Sequence, residues 1–490
     1  MRDSAQQRLK KSAKHTAIYA VGTIIRRIAG FVMLPIYTRY LTPQDYGVIE
    51  LLTVATQFIS IIVGLRITQA MLRYYVLADT QYEKQRIVST VLITALCMSA
   101  LGVVLLSFGS APISMILFGH KDYADAVQLF GFCLITNTVT ATGLSYLRAQ
   151  QKPVHFVTVG VCVLVLQIVS NLVFVVHLEM GVMGVIISAL VSGAIVSLTL
   201  FTYIVTQVGF TYSSAFAYRL LRFVYPLVLS SLGGLYVAYA DKYFVRVFCG
   251  LDNVGLYALA SRLGSVVMIA YEGFNLSWAA DRFEIYKRPD ARELFSCVFR
   301  FLNVGLFLIG AFLIIGARDV LWLMADPAFY PAAAFVTPLV LATIMRVYNN
   351  FCNFGLYLSE STKDVAIGSF IKAVLATIGC LTLIPSFGPM GAGYALLLSG
   401  FSEFLWVNHR ATKHYDMQID WWFLLPLASL VGLAVILAEL LPFGDFRYTT
   451  GRIMLCATLP VLVWMLPVLK PQDRALLAGL LRKKARLDHQ

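Results

Sequence analysis

Apolar stretches about as long as a bilayer is thick recur along this chain, and their number constrains its fold more than any other feature. A helix needs about 20 apolar residues to cross the hydrocarbon core. By that measure the chain has about fourteen spans, near 16–38, 46–72, 87–108, 127–147, 154–176, 182–205, 220–240, 254–280, 295–316, 332–358, 365–384, 390–408, 421–441 and 452–469. Of its 490 residues 59% are hydrophobic and only 13% charged, and the mean hydropathy is +0.76, whereas about a quarter of a soluble domain is charged. No polar stretch is long enough for a soluble domain. The expected fold class is therefore an all-α polytopic membrane protein.

A formal charge of +13 raises the question of nucleic acid, and the positions of the basic residues answer it. Most Lys and Arg residues lie in alternate loops and in the two tails, where Arg8, Lys10, Lys11 and Lys14 stand at one end and Arg482 to Arg486 at the other. This is the positive-inside pattern, with both termini cytoplasmic and the basic tails beside anionic lipid. Nucleic-acid binding is not expected. The first apolar run carries Arg26 and Arg27 and no small-residue cleavage site, so it reads as a retained helix rather than a signal peptide. Eight cysteines are scattered singly, without Cys-x-x-Cys or a Cys/His cluster of metal spacing, and read as packing residues. No nucleophile elbow, zinc-protease motif, P-loop or dinucleotide fingerprint is present, so an enzyme is not expected.

The chain repeats itself. Arg39 and Gly47 correspond to Arg246 and Gly255, and Gly181, Gly184, Ser192 and Gly193 correspond to Gly388, Gly391, Ser399 and Gly400 at nearly the same offset. A weaker echo pairs Leu147 and Lys152 with Leu358 and Lys363. An even number of spans per repeat keeps both halves in one orientation, so spans 1–6 and 7–12 form parallel halves, which typically enclose a site. The expected division is 1–210 and 211–415 for the two six-helix bundles, with 416–490 holding two extra helices and a basic tail. Those extra helices serve packing, or offer a groove for a lipid tail.

Polar residues fall on single helix faces. Tyr19, Thr23, Arg26 and Gly30 recur at helical spacing in the first span, as do Glu50, Thr53, Gln57, Ser60 and Gly64 in the second. Tyr257, Ser261, Ser265, Met268, Glu272 and Asn275 do so in the eighth, and Arg346, Asn350, Asn353 and Tyr357 in the tenth. An arginine at mid-bilayer costs roughly 3 kcal/mol on insertion scales, a cost tolerated at a wet cavity. Two readings stay open for Arg26 and Arg27: a cationic lumen for an anionic substrate, or structural ion pairs with acids such as Glu50. Arg66, Arg262, Lys372 and Glu403 are further charges within spans, and Asp241 closes the seventh. The planar fork of arginine matches phosphate oxygens bidentately, so Arg26, Arg27, Arg262 and Arg346 suit a diphosphate, with Tyr19, Asn350 and Asn353 suited to sugars. Glu50, Glu272 and Glu403 are candidates for proton or sodium coupling; no other cofactor is implied.

Pro35, Thr38, Arg39, Leu41, Tyr46 and Gly47, the segment from Asp241 to Tyr257, the two glycine turns and the Ser-Asn-Leu of Ser170 to Leu172 resemble the polysaccharide-transporter (oligosaccharide flippase) family. That family lies in the superfamily that also holds the multidrug and toxic compound extrusion (MATE) transporters. The second half departs from the pattern, with Thr382 where the first has an asparagine. The resemblance implies two six-helix bundles that alternate between inward-open and outward-open states around a cationic lumen. It implies transport of an undecaprenyl-diphosphate-linked oligosaccharide across the inner membrane, for O-antigen, capsule or exopolysaccharide synthesis. Expected partners are the lipid-linked oligosaccharide, membrane lipid, and the glycosyltransferases and polymerase of the same pathway. The alternatives are a cation-coupled multidrug exporter, a polymerase or ligase acting at the outer face, and a non-transporting subunit of a polysaccharide synthase.

Overall fold

Long apolar helices joined by short turns make up the computed structural model, which describes residues 30–63, 67–359, 361–441 and 446–465, with no strand among them. Tyr19, Arg26, Arg27, Gly64, Arg66 and both basic tails lie outside the described residues. Eleven helical segments among the described residues are long and apolar enough to cross a membrane. They coincide with spans 2–6, 8–12 and 14. Contacts divide the chain into two units, Met1–Ala258 and Leu259–Gln490.

The first unit contains α1 (Leu34–Tyr40), α2 (Pro43–Val63), α3 (Ile67–Leu77), α4 (Gln81–Phe108), α5 (Ser110–Phe118), α6 (Ala124–Gly131), α7 (Cys133–Ala149), α8 (Pro153–Asn171), α9 (Gly181–Val208), α10 (Ser214–Cys249) and the start of α11 (Leu251–Tyr286). Thr80 and Glu83 start α4 with reciprocal side-chain caps. The second expected span carries the described helical stretches α2 and α3. Ile67 and Met71 of α3 then pack with Val88 and Leu92 of α4, Ile204 of α9 and Leu220 of α10. The apolar run 113–118 forms the short α5, stopped by Gly119 in the left-handed region. Asn171 is fully buried at the end of α8, where its amide donates to the Met33 sulfur (3.3 Å) and the Gln167 carbonyl (2.8 Å), while its Oδ1 accepts from Tyr37 (3.4 Å). The family-like asparagine thus ties α1 to α8.

The seventh span is longer than its apolar window suggests, because α10 continues to Cys249. Asp241 therefore lies within a helix instead of closing one. Its charge and that of Lys242 are met by neighbours within the unit, so neither has to sit at a helix end. At the junction of α10 and α11, Gly47 and Gly255 face each other. A Cβ on Gly47 would run into the Leu251 carbonyl oxygen, and one on Gly255 into that of Pro43.

The second unit holds the rest of α11, then α12 (Ala291–Met324), α13 (Ala333–Cys352), α14 (Phe354–Leu358), α15 (Thr362–Phe387), α16 (Pro389–His414), α17 (Leu424–Glu439) and α18 (Phe446–Met465). The thirteenth span is shorter than expected, reaching helical geometry only at Leu424. Both terminal helices pack on α12, joining Val431, Ala434 and Leu459 to Ala311 and Ile315. Arg452 Nη1 meets Asp319 Oδ1 at 2.7 Å with little exposure, and Arg318 meets Glu439 at 2.7 Å with much more. An aromatic core of Trp278 stacked on Phe351 (5.5 Å), with Phe295, Phe299 and Trp421, joins α11, α12 and α13.

The duplicated glycine pattern takes the same form in each unit. Gly181 and Gly388 adopt positive φ of 54° and 60°, which favours glycine. A Cβ on Gly184 would lie 2.7 Å from the Phe174 carbonyl oxygen, and one on Gly391 would collide with that of Leu383. Each motif lets a helix turn back and start again directly against its predecessor.

Candidate functional site

Three side chains of α2 that share the face of Glu50 open into a cavity of the first unit. It measures about 670 Å³ and is lined by Thr53, Thr56, Gln57, Ser60 and Ile61 of α2, Phe130 of α6, Asn137, Thr140, Ala141 and Leu144 of α7, and Leu235 of α10. No charged side chain is among them. Thr53 and Thr56 donate their hydroxyl protons to the carbonyls of Ile49 (2.8 Å) and Leu52 (2.9 Å), which leaves their lone pairs as acceptors. Gln57, Asn137 and Thr140 make no side-chain hydrogen bond among the described residues and remain able to donate and accept. Such a lining suits a ligand rich in hydroxyls.

One turn toward the start of α2, Glu50 forms a buried ion pair with Lys242 of α10. Asp241 beside it is 4% exposed and accepts from the Tyr257 hydroxyl at 2.8 Å through Oδ2, while its Oδ1 has no hydrogen-bond partner among the described residues. The Lys242 ammonium lies 5.0 Å from the centre of the Tyr239 ring. Two carboxylates thus stand beside one ammonium where solvation is poor.

Among the residues singled out in the sequence, Tyr19, Arg26 and Arg27 fall outside the described residues. Of the remaining candidates for phosphate, sugar or ion binding, only Glu50 belongs to the first unit. Arg262 and Glu272 are half-buried on α11, and Ser265 donates to the Arg262 carbonyl at 2.6 Å. Arg346 is exposed on α13, Asn350 is half-buried a turn later, and Asn353 stands at the break between α13 and α14 with its Oδ1 buried and unbonded. Glu403 of α16 pairs with Lys372 of α15 at 3.0 Å and accepts from Asn349 of α13 at 2.8 Å. That triad joins three helices.

Lys242, Asn137 and Thr140 were not legible as site residues. Lys242 lies beyond the apolar window of the seventh span. Asn137 is surrounded in sequence by Thr136, Thr138, Thr140 and Thr142, so polar residues occur all round α7 and mark no single face.

Comparison with known proteins places this architecture. No curated protein sequence matches the chain. Among solved structures it is similar to the lipid II flippase MurJ in an inward closed conformation, with TM-score 0.69, 13% identity, 91% of this chain and 98% of that chain covered. It is also similar to an inward-facing multidrug resistance MATE family transporter of the MOP superfamily, with TM-score 0.59, 16% identity and coverage of 80% and 98%. The MATE multidrug transporter DinF-BH gives TM-score 0.59, 16% identity and coverage of 83% and 96%. At these identities the likeness establishes the fold. The sequence itself matches the profile of polysaccharide biosynthesis proteins over residues 12–275. With more than half of its length in that match, the chain belongs to the polysaccharide biosynthesis protein family.

Proposed function

We propose that this protein is a flippase that carries an undecaprenyl-diphosphate-linked oligosaccharide from the cytoplasmic to the outer leaflet of the inner membrane, for O-antigen, capsule or exopolysaccharide synthesis. The observation that carries the reading is the uncharged polar cavity of the first unit, whose Gln57, Asn137 and Thr140 present unused hydrogen-bonding groups. Its volume lies within the range of about 300–1,000 Å³ typical of small-molecule sites. A saccharide satisfies such groups and an apolar drug does not. In this reading 1–210 and 211–415 are the two rocking bundles, 416–490 adds two helices, and both termini are cytoplasmic. Arg26, Arg27, Arg262 and Arg346 hold the diphosphate, and Tyr19, Asn350 and Asn353 hold sugars. Glu50, Glu272 or Glu403 couples transport to an ion, and glycosyltransferases and a polymerase of the same pathway supply and consume the cargo.

The test is the leaflet distribution of lipid-linked saccharide in a deletion strain complemented with wild type or Arg26→Ala. Accumulation on the cytoplasmic side, cured by wild type alone, is the expected result. An unchanged distribution with lost polymer would point instead to a synthase subunit. One observation favours a second reading, a cation-coupled multidrug exporter: the Glu50, Asp241 and Lys242 cluster could exchange a proton for cargo. Proton-dependent dye efflux from expressing cells would support it.

A further inference from the structure

Several cations of the second unit are paired with an acid: Arg288 with Asp290, Arg318 with Glu439, Lys372 with Glu403, Arg410 with Asp364 and Arg452 with Asp319. Arg282 is different. It lies near the end of α11, beyond the apolar window that closes at Asn275. Its guanidinium carbon is 5.3 Å from the ring centres of both Phe283 and Phe354 and 5.5 Å from that of Tyr357. Among the described residues it forms neither a hydrogen bond nor an ion pair, and its Nε is buried without an acceptor. Burial lowers the proton affinity of the group, and what opposes burial is Tyr357 and Tyr271 rather than any carboxylate.

The aromatic cradle is fixed on one side and open on the other. Phe354 stacks on Phe295 at 5.1 Å and meets Phe283 edge-on at 5.2 Å, which ties it to the core. Phe283 and Tyr357 are 44% and 47% exposed. Rings near the face of a guanidinium attract its charge through their quadrupole and leave its N–H donors, which lie in the plane, for an acceptor. A weakly hydrated planar fork of this kind pairs bidentately with carboxylate or phosphate. At the end of a helix that leaves the apolar core of a membrane, the abundant anion is the phosphate of a lipid. Asn353, next to Phe354 in the chain, adds a buried, unbonded carbonyl oxygen that would accept a hydroxyl.

We infer that Arg282, braced by Phe283, Phe354 and Tyr357, is a binding site for the phosphate of a membrane lipid. Two lipids carry that chemistry, the prenyl diphosphate of a lipid-linked saccharide and an ordinary phospholipid, and the first rests on the flippase reading. The full chain in a phosphate-free maltoside detergent separates them. Farnesyl diphosphate, farnesol and dihexanoylphosphatidylglycerol are titrated against wild type, Arg282→Gln and Arg282→Lys. Arg282→Gln is expected to weaken farnesyl diphosphate binding by about ten- to a hundredfold, the loss of one charge-assisted hydrogen-bonding group, and to leave farnesol unaffected. Arg282→Lys, which keeps the charge but loses the fork, falls between.

If phosphatidylglycerol binding alone depends on Arg282, the site stands as a phospholipid site and the flippase reading loses this support. If both phosphates bind Arg282→Gln as tightly as wild type, or wild type binds neither, the inference is wrong. Should Arg282→Gln fail to fold, Arg282→Lys and Tyr357→Leu, which removes one wall of the cradle, carry the same comparison. Unchanged affinity in both would overturn it.

Discussion

Replacing Lys242 by methionine removes the ammonium from a buried cluster and leaves Glu50 and Asp241 without it. Lys242 is 6% exposed, Glu50 7% and Asp241 4%, so water compensates little. Breaking a buried pair from one side costs about 3–5 kcal/mol, because the remaining charge is stranded. At roughly 2–4 °C per kcal/mol for a unit of this size, the melting temperature should fall by about 6–20 °C. The companion Glu50→Gln removes the carboxylate charge of the pair and keeps the shape. The double variant should therefore regain most of the loss, with Asp241 still held by the Tyr257 hydroxyl. Melting curves of the four purified proteins in one detergent give the coupling energy directly as a double-mutant cycle. If Lys242→Met melts with wild type, or if the double variant melts below both singles, the pair does not stabilise the fold and the reasoning fails.

Three further perturbations follow from other sites. Gly47→Ala and Gly255→Ala each push a methyl group against backbone, at Leu251 and Pro43, and each should destabilise by about 1–3 kcal/mol; because they share one contact, thermal melting of the double variant should show less than the sum. Gln57→Leu and Asn137→Leu remove polar groups that serve no partner among the described residues, so polymer export in a complemented strain should drop while melting temperature stays close to that of wild type; a loss of stability would make the cavity structural. Arg452→Met takes the ion-pair partner from Asp319, leaving it the Thr449 hydroxyl at 2.8 Å, and should cost about 3 kcal/mol. Arg318→Met, which loses only an exposed pair with Glu439, should cost under about 1 kcal/mol, and melting curves that rank the two in the opposite order would contradict the burial argument.

The sequence declares its helices where a single physical requirement sets them. A bilayer demands length and apolarity, so most spans can be read within a few residues, and the glycine turns can be read because the chain states them twice. What escaped reading depends on residues far apart. Asp241 and Lys242 look like a loop edge until Glu50, on another helix, arrives beside them. Likewise Arg282 has no periodic partner on its own helix; its rings come mainly from α14. Periodicity exposes a helix face but not what that face will meet.

The contact of Gly47 with Gly255 has an evolutionary consequence. Gly47 abuts the carbonyl of Leu251 as Gly255 abuts that of Pro43, and these four positions correspond under the internal duplication. A surface that docks on its own copy is how two identical molecules form a symmetric dimer. An ancestor half as long could have made the same contact between two separate chains, with one glycine serving both sides. Fusion of two such genes would leave the copies free to diverge except where they touch. Here each notch receives the other copy's backbone, so a side chain gained by either half would be resisted by the half that did not change.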